Sequence, residues 1–117
     1  MATLKEAYEQ MGADYSDVLK RLMNDALVAR FAGKFLDDES FATLKTSLEA
    51  GDAEQAFMAA HTLKGVCSNL GFTNLYDPVY QITEALRGGS LDGSDVLFPQ
   101  VEAEYNKTIE ALKSALN

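Results

Sequence analysis

A chain of 117 residues is long enough to form one domain that buries most of its apolar surface without a disulfide. Its net charge of −8 argues against nucleic-acid binding, and its 47% hydrophobic and 24% charged residues are typical of a folded globular protein. No apolar run reaches the roughly 18 residues that cross a bilayer, and no signal peptide or internal disulfide is evident, so we expect a cytoplasmic protein without membrane contact.

The N-terminal third of the chain predicts two helices. Residues 3–11 place their apolar side chains on one face, and Gly12 follows as a left-handed helix end. From Tyr15 the apolar residues recur every three or four positions as far as Leu36, with Asp14 available as the cap. This pattern predicts a short first helix and then one long amphipathic helix.

Two further helices are predicted on either side of Gly51. Residues 41–48 have the apolar spacing of a shorter helix that ends at this glycine. Asp52 and Gln55 then form the two halves of a capping box, so a new helix is expected to start there. The next helix end is predicted at Gly71.

The remaining sequence predicts two long helices separated by a loop. Residues 72–88 form the first, with Pro78 either within its first turns or at a kink. A loop rich in Gly, Ser and Asp covers residues 88–95. The last helix follows it, with Pro99 expected in its first turn.

These elements predict an all-α fold. Short loops favour antiparallel neighbours, which gives an up-down four-helix bundle with an additional short N-terminal helix. We expect a single domain over residues 1–117, with the bundle core at about 15–116 and the segment 1–13 as a lid helix.

The helix between Asp52 and Gly71 carries His61, the only histidine of the chain. A lone histidine is in most proteins an inert residue, so its surroundings decide whether it has a function. At about 100° per residue, His61 points about 160° away from the centre of the apolar stripe and therefore towards solvent. The stripe itself is predicted to face the core and consists of Ala56, Ala59, Ala60, Leu63, Val66, Cys67 and Leu70.

The neighbours of His61 favour a phosphoryl acceptor. Gly65 lies one turn further along, costs roughly 0.5 to 1 kcal/mol relative to alanine in a helix, and leaves open space beside the imidazole. Lys64 places an ammonium near the same ring, where it disfavours imidazolium and attracts an anion. A neutral nitrogen nucleophile, a cation and room for a large reactant suit phosphoryl transfer.

The other parts of a kinase active site are not recognisable in the sequence. No glycine-rich phosphate-binding loop follows a strand, and no carboxylate cluster is placed to hold Mg²⁺. We therefore expect no metal site, no cofactor of its own and no autonomous ATP-dependent kinase activity. The metal and the second half of the site are expected to come from a partner.

The segments AHTLKG at residues 60–65 and SNLG at residues 68–71 closely resemble the signature of histidine-containing phosphotransfer (HPt) domains of two-component phosphorelays. The resemblance implies that His61 takes a phosphoryl group from a receiver-domain aspartate and passes it to another receiver. It implies that Lys64 contacts the phosphoryl group and that Gly65 clears room for the receiver. Ser68 lies on the same rim.

The following helix departs from the pattern of this family. Many relatives carry Gln or Glu 22 positions after the histidine to orient its ring, whereas this chain has Thr83 there, with Gln81 and Glu84 close by. The hydroxyl of Thr83, or that of Tyr80 one turn earlier, is available for such a hydrogen bond. The sequence leaves open which residue orients the His61 ring, and a hydrogen bond from either hydroxyl would hold it less firmly.

Phe57 and Met58 flank the histidine side of their helix. Apolar side chains around a reactive group suit transient protein recognition, so we predict that both contact the receiver. Packing against the N-terminal helix is the alternative.

The sequence therefore predicts a phosphoryl carrier that acts as a monomer. The resemblance implies that its partners are the receiver domains of hybrid sensor kinases and response regulators, which bring Mg²⁺ and the reacting aspartate. The alternative is a non-phosphorylated adaptor bundle that binds or sequesters a receiver. The joint presence of His61, Lys64 and Gly65 favours the carrier.

Overall fold

The computed structural model describes residues 2–116, which form seven α-helices and no strand. None of the helices in this range is long and apolar enough to cross a membrane. In chain order the helices are α1 (Leu4–Met11), α2 (Tyr15–Leu22), α3 (Asp25–Phe35), α4 (Ser40–Glu49), α5 (Ala53–Leu70), α6 (Thr73–Leu86) and α7 (Ser94–Leu116).

Helices α4 to α7 form the bundle, in which α5 packs against both α4 and α6, and α6 packs against α7. Contacts between the helices show antiparallel neighbours. Phe57, near the start of α5, lies against Arg87 just after the end of α6. Asn74, near the start of α6, donates a 3.0 Å hydrogen bond to Thr108 in the second half of α7. The predicted all-α bundle with an additional N-terminal helix is confirmed, and the domain boundaries stay a prediction.

The buried face of α5 is the one that its apolar spacing predicts. Only Val66 is partly buried, while the rest of the stripe faces the core: Ala56, Ala59, Ala60, Leu63, Cys67 and Leu70. Burial raises the pKa of the Cys67 thiol to about 12, so this cysteine stays protonated at neutral pH. Because one face of α5 is held by the bundle, the opposite face points away from it.

The single long helix predicted between Tyr15 and Leu36 is wrong, because two helices occupy this segment. Between them Met23 adopts a left-handed backbone with a φ of 76°. The side chain of Asn24 then accepts a 2.8 Å hydrogen bond from the Leu27 amide and caps α3. The apolar repeat continues across the break and conceals it.

The last helix starts earlier than predicted. α7 begins at Ser94, so Pro99 is its sixth residue and does not lie in the first turn. Pro78 is likewise the sixth residue of α6, which agrees with the predicted place within the first turns. A proline at such a position removes one helical N–H donor.

Helix α1 packs against α7 and also reaches the end of α5. The Tyr8 side chain is fully buried, and its hydroxyl donates a 2.6 Å hydrogen bond to the Leu70 carbonyl. The last carbonyls of a helix have no partner within that helix, and this hydroxyl satisfies one of them. Tyr8 therefore ties the C-terminal end of α5 to α1.

Replacing Tyr8 by phenylalanine is expected to lower the free energy of unfolding by about 1 to 2 kcal/mol, because the buried Leu70 carbonyl loses its donor. Burial also raises the pKa of Tyr8 above its usual value, so its neutral form is favoured in the folded state. The wild-type advantage is therefore complete below pH ~10 and decreases at higher pH, where the unfolded state releases the proton. Urea unfolding of both proteins at pH 8 and pH 11 measures this difference. Equal stability at pH 8 would contradict the role of the hydrogen bond.

Candidate functional site

His61 lies in the middle of α5, on the face that points away from the bundle. The Asp52 side chain caps the helix by accepting a 3.0 Å hydrogen bond from the Gln55 amide, and Gly71 ends it with a φ of 70°. These two caps define the ends of the helix, while its buried stripe fixes which face points outward, and His61 is exposed to solvent. The predicted outward orientation is therefore observed, and the role of His61 as a phosphoryl acceptor stays a prediction.

Open space lies beside His61 at Gly65, one helical turn further along. Gly65 is exposed, and a Cβ atom placed on it would meet no atom within 4 Å. Residues four apart on a helix are surface neighbours, so this space adjoins the imidazole. A large reactant that approaches the ring meets only the helix backbone at this point.

Lys64 lies on the side of α5 that faces α6. Its Nζ atom is 5.7 Å from the centre of the Tyr80 ring, within the range of a cation–π contact. Within residues 2–116, no carboxylate forms an ion pair with this ammonium. Because residues three apart on a helix are neighbours, Lys64 is available to an anion that is attached to His61.

A chain of side-chain contacts leads from His61 to the end of α6. The ring centres of His61 and Phe57 are 5.9 Å apart, and the Arg87 Cζ atom is 5.2 Å from the centre of the Phe57 ring. Arg87 in turn donates two hydrogen bonds to one oxygen of Glu84, from Nη2 at 2.7 Å and from Nε at 3.1 Å. The site therefore extends onto α6.

Neighbouring positive charges keep the Glu84 carboxyl ionised. The hydrogen bond from Arg87 holds the pKa of the Glu84 carboxyl below its usual value, with smaller contributions from the charges of Arg87, Lys64 and His61. The same ion pair raises the pKa of the Arg87 guanidinium. Glu84 is therefore a carboxylate at neutral pH, and the charges of Arg87, Lys64 and His61 all favour this form.

The sequence pattern did not predict the Glu84–Arg87 ion pair as part of the site, although Glu84 lies next to the position 22 residues after His61. Their spacing of three residues on a helix predicts an ion pair, which is the only local signal available. Their position next to Phe57 depends on how α6 packs against α5, which the sequence pattern does not specify.

The structure places the predicted rim and ring-orienting residues in different environments. Ser68 is exposed on the same rim as Gly65, as predicted. Thr83 does not lie on the rim: it is fully buried, and its hydroxyl donates a 2.6 Å hydrogen bond to the Val79 carbonyl within α6. Tyr80 is 45% exposed and contacts Lys64. Within the described residues, neither hydroxyl forms a hydrogen bond with the His61 ring.

Phe57 and Met58 lie on opposite sides of the exposed face of α5. Phe57 is half-buried towards α6, where it contacts His61 and Arg87. Met58 is 62% exposed and lines a shallow groove towards α4, beside Thr43. Both leave apolar surface near the histidine, and their contact with a receiver stays a prediction.

No group of three or more His, Cys, Asp or Glu side chains that could hold a metal ion occurs among residues 2–116.

The model of one protein family, described as the Hpt domain, matches residues 34–115. This range includes all of α4, α5 and α6, and therefore every residue of the site described above. No curated protein and no solved structure gives a significant match to the chain.

Proposed function

The chain belongs to the Hpt domain family, and from this membership we propose that it carries a phosphoryl group on His61 between receiver aspartates. Proteins of this family serve histidine phosphotransfer in phosphorelays and interact with receiver domains. The observation that supports this proposal most directly is the exposed imidazole of His61 beside the open space at Gly65. A receiver has to bring its aspartyl phosphate in line with a ring nitrogen, and a side chain at Gly65 would stand in its way.

In the proposed reaction, one nitrogen of the neutral His61 ring attacks the phosphorus of the aspartyl phosphate. The N–P bond forms, the P–O bond to the aspartate breaks, and the carboxylate leaves with the electron pair. The ring keeps its proton on the other nitrogen. The reverse reaction passes the phosphoryl group to the aspartate of the next receiver.

This chain contributes the nucleophile and part of the positive charge. The Lys64 ammonium has no ion-pair partner among the described carboxylates, and its proposed role is to neutralise phosphoryl oxygens on His61. We propose that the chain needs no cofactor of its own and that Mg²⁺ is bound by the receiver, where it neutralises further phosphoryl charge. A monomer is the proposed form, because the histidine has to meet several partners in turn.

The proposed function is tested with receiver domains from the same genome, each phosphorylated with labelled acetyl phosphate. Mixing with the carrier is expected to move label onto this chain, in an adduct that is labile in acid and stable in alkali. The receiver aspartyl phosphate lacks this stability in alkali, so the two adducts are distinguishable. Binding to a receiver without transfer of label would favour the adaptor over the carrier.

Replacing Lys64 by alanine is expected to slow transfer from a phosphorylated receiver about tenfold, because a charge-assisted contact to the phosphoryl group is lost. Helix content by circular dichroism is expected to stay unchanged, since the lysine is at the surface of α5. Lys107→Ala on α7 serves as the control for the loss of one positive charge. An unchanged rate, or a loss of helix content, would show that Lys64 has no direct role in transfer.

A further inference from the structure

The Glu84–Arg87 ion pair at the end of α6 is placed next to the reacting histidine without touching it. The Phe57 ring adjoins both groups, with the His61 ring centre 5.9 Å and the Arg87 Cζ atom 5.2 Å from its own centre. The guanidinium therefore rests on an aromatic ring that also flanks the imidazole. A rotation of the flexible arginine side chain across this ring would bring it towards His61.

The ion pair is weak enough to exchange partners. The Arg87 and Glu84 side chains are 52% and 41% exposed, so water screens their attraction. If Arg87 leaves, the Glu84 carboxylate is hydrated where it stands and no buried charge remains. A partner with more than one negative charge competes well for this guanidinium, whose planar fork matches phosphate oxygens.

A phosphoryl group on His61 is such a partner. It brings close to two negative charges and three acceptor oxygens to the surface of α5. Lys64 lies three residues further along α5 from His61. The Glu84 carboxylate is held by Arg87 beside the Phe57 ring, which also flanks the imidazole. Phosphorylation therefore creates attraction for Arg87 and repulsion from Glu84 at the same place.

We propose that Arg87 exchanges Glu84 for the phosphoryl group when His61 is phosphorylated, and that this pair of residues sets the equilibrium of transfer between the receiver aspartate and His61. The inference rests on the proposed function and extends it to Glu84 in the last turn of α6 and to Arg87 just after that helix. Arg87 stabilises the phosphorylated form by direct contact. Glu84 opposes that form by its own charge and by holding Arg87 in the unphosphorylated form.

The first test measures the ratio of phosphorylated carrier to phosphorylated receiver at equilibrium, with the receiver that transfers to the wild type. Glu84→Gln is expected to increase the equilibrium constant for phosphorylation of His61 about three- to fivefold, and Arg87→Gln to decrease it by a similar factor. Glu110→Gln and Lys107→Gln make the same charge changes on α7 and are the matched controls. Arg87→Lys, which keeps the charge but not the planar fork, is expected to restore part of the loss.

The inference would be overturned if the equilibrium constants of the Glu84 and Arg87 variants stayed within the range of the α7 controls. A shift of both variants in the same direction would do so as well, because a merely structural role does not depend on the sign of the charge. If the wild type receives no label from any receiver, the proposed function fails and this inference falls with it. Normal wild-type transfer with unshifted variants leaves the proposed function intact.

The second test observes Arg87 directly and needs no receiver. The protein is phosphorylated on His61 with phosphoramidate, and the Arg87 Nε–H signal is followed by ¹⁵N NMR, with Arg87→Lys for assignment. This signal is expected to move when His61 is phosphorylated and to stay in place in the His61→Gln protein under the same treatment. An unmoved signal in the phosphorylated wild type would show that the guanidinium stays with Glu84.

Discussion

The His61→Gln protein is expected to accept less than about 1% of the label that the wild type takes from a phosphorylated receiver. Glutamine is polar and fits the exposed position, but its amide nitrogen has no lone pair available for attack on phosphorus. The free energy of unfolding is expected to change by no more than about 0.5 kcal/mol, because His61 is exposed on α5. Labelling on gels and urea unfolding measure the two effects separately.

Lys107→Ala is a suitable control for His61→Gln, because it changes an exposed side chain on α7, outside the site. It is expected to keep most of the wild-type labelling. His61 is the only histidine of the chain, so an adduct stable in alkali has no second imidazole as its site. Undiminished labelling of His61→Gln would therefore exclude the carrier mechanism.

The second large effect is expected at Gly65, where increasing size should reduce transfer. Leucine at this position fills the space beside His61 and is expected to slow transfer at low receiver concentration by about 100-fold, corresponding to about 2.7 kcal/mol. Alanine fills much less of it and is expected to have a small effect. Because a Cβ atom meets nothing within 4 Å, both variants are expected to be more stable than the wild type by up to about 1 kcal/mol.

Opposite changes in stability and transfer distinguish docking from folding at this position. Gly33→Leu in α3 is the matched control, since a Cβ atom there also meets nothing within 4 Å. It is expected to raise stability without a comparable loss of transfer. Stopped-flow measurement of the transfer rate over a range of receiver concentrations separates docking from chemistry. The loss in Gly65→Leu is expected at low receiver concentration, where docking limits the rate. A Gly65→Leu protein with wild-type transfer would contradict the inference that the open space at Gly65 admits the receiver.

The helices of the bundle were predictable because their evidence is local. Caps such as Asp52 and Gly71 and the apolar stripe of α5 lie within one helix, so the sequence defines both its ends and its buried face. The break at Met23 was missed because the apolar repeat has the same spacing on both sides of it. Asn24 is a good helix cap, but a single asparagine within a continuous apolar repeat is weak evidence that one helix ends and another begins there.

The candidate site also has one part that the sequence predicts and another that depends on how the helices pack. His61, Lys64 and Gly65 belong to one turn of α5, so their relative positions follow from helical geometry alone. The neighbourhood of Arg87, Glu84 and Phe57 depends on the rotation of α6 against α5, and the sequence pattern carries little information about it. The burial of Thr83 has the same origin, since it is decided by which face α6 turns towards the core.

The uncovered position of His61 has a kinetic consequence for the proposed relay. A carrier whose reactive ring already stands in solvent requires no opening step before it meets its partner. Loading and unloading should then be governed by collisions, with rates that rise in proportion to receiver concentration until the complex saturates. The time for which the signal dwells on such a carrier is therefore determined by how abundant its partners are, and selectivity among them arises in the encounter itself.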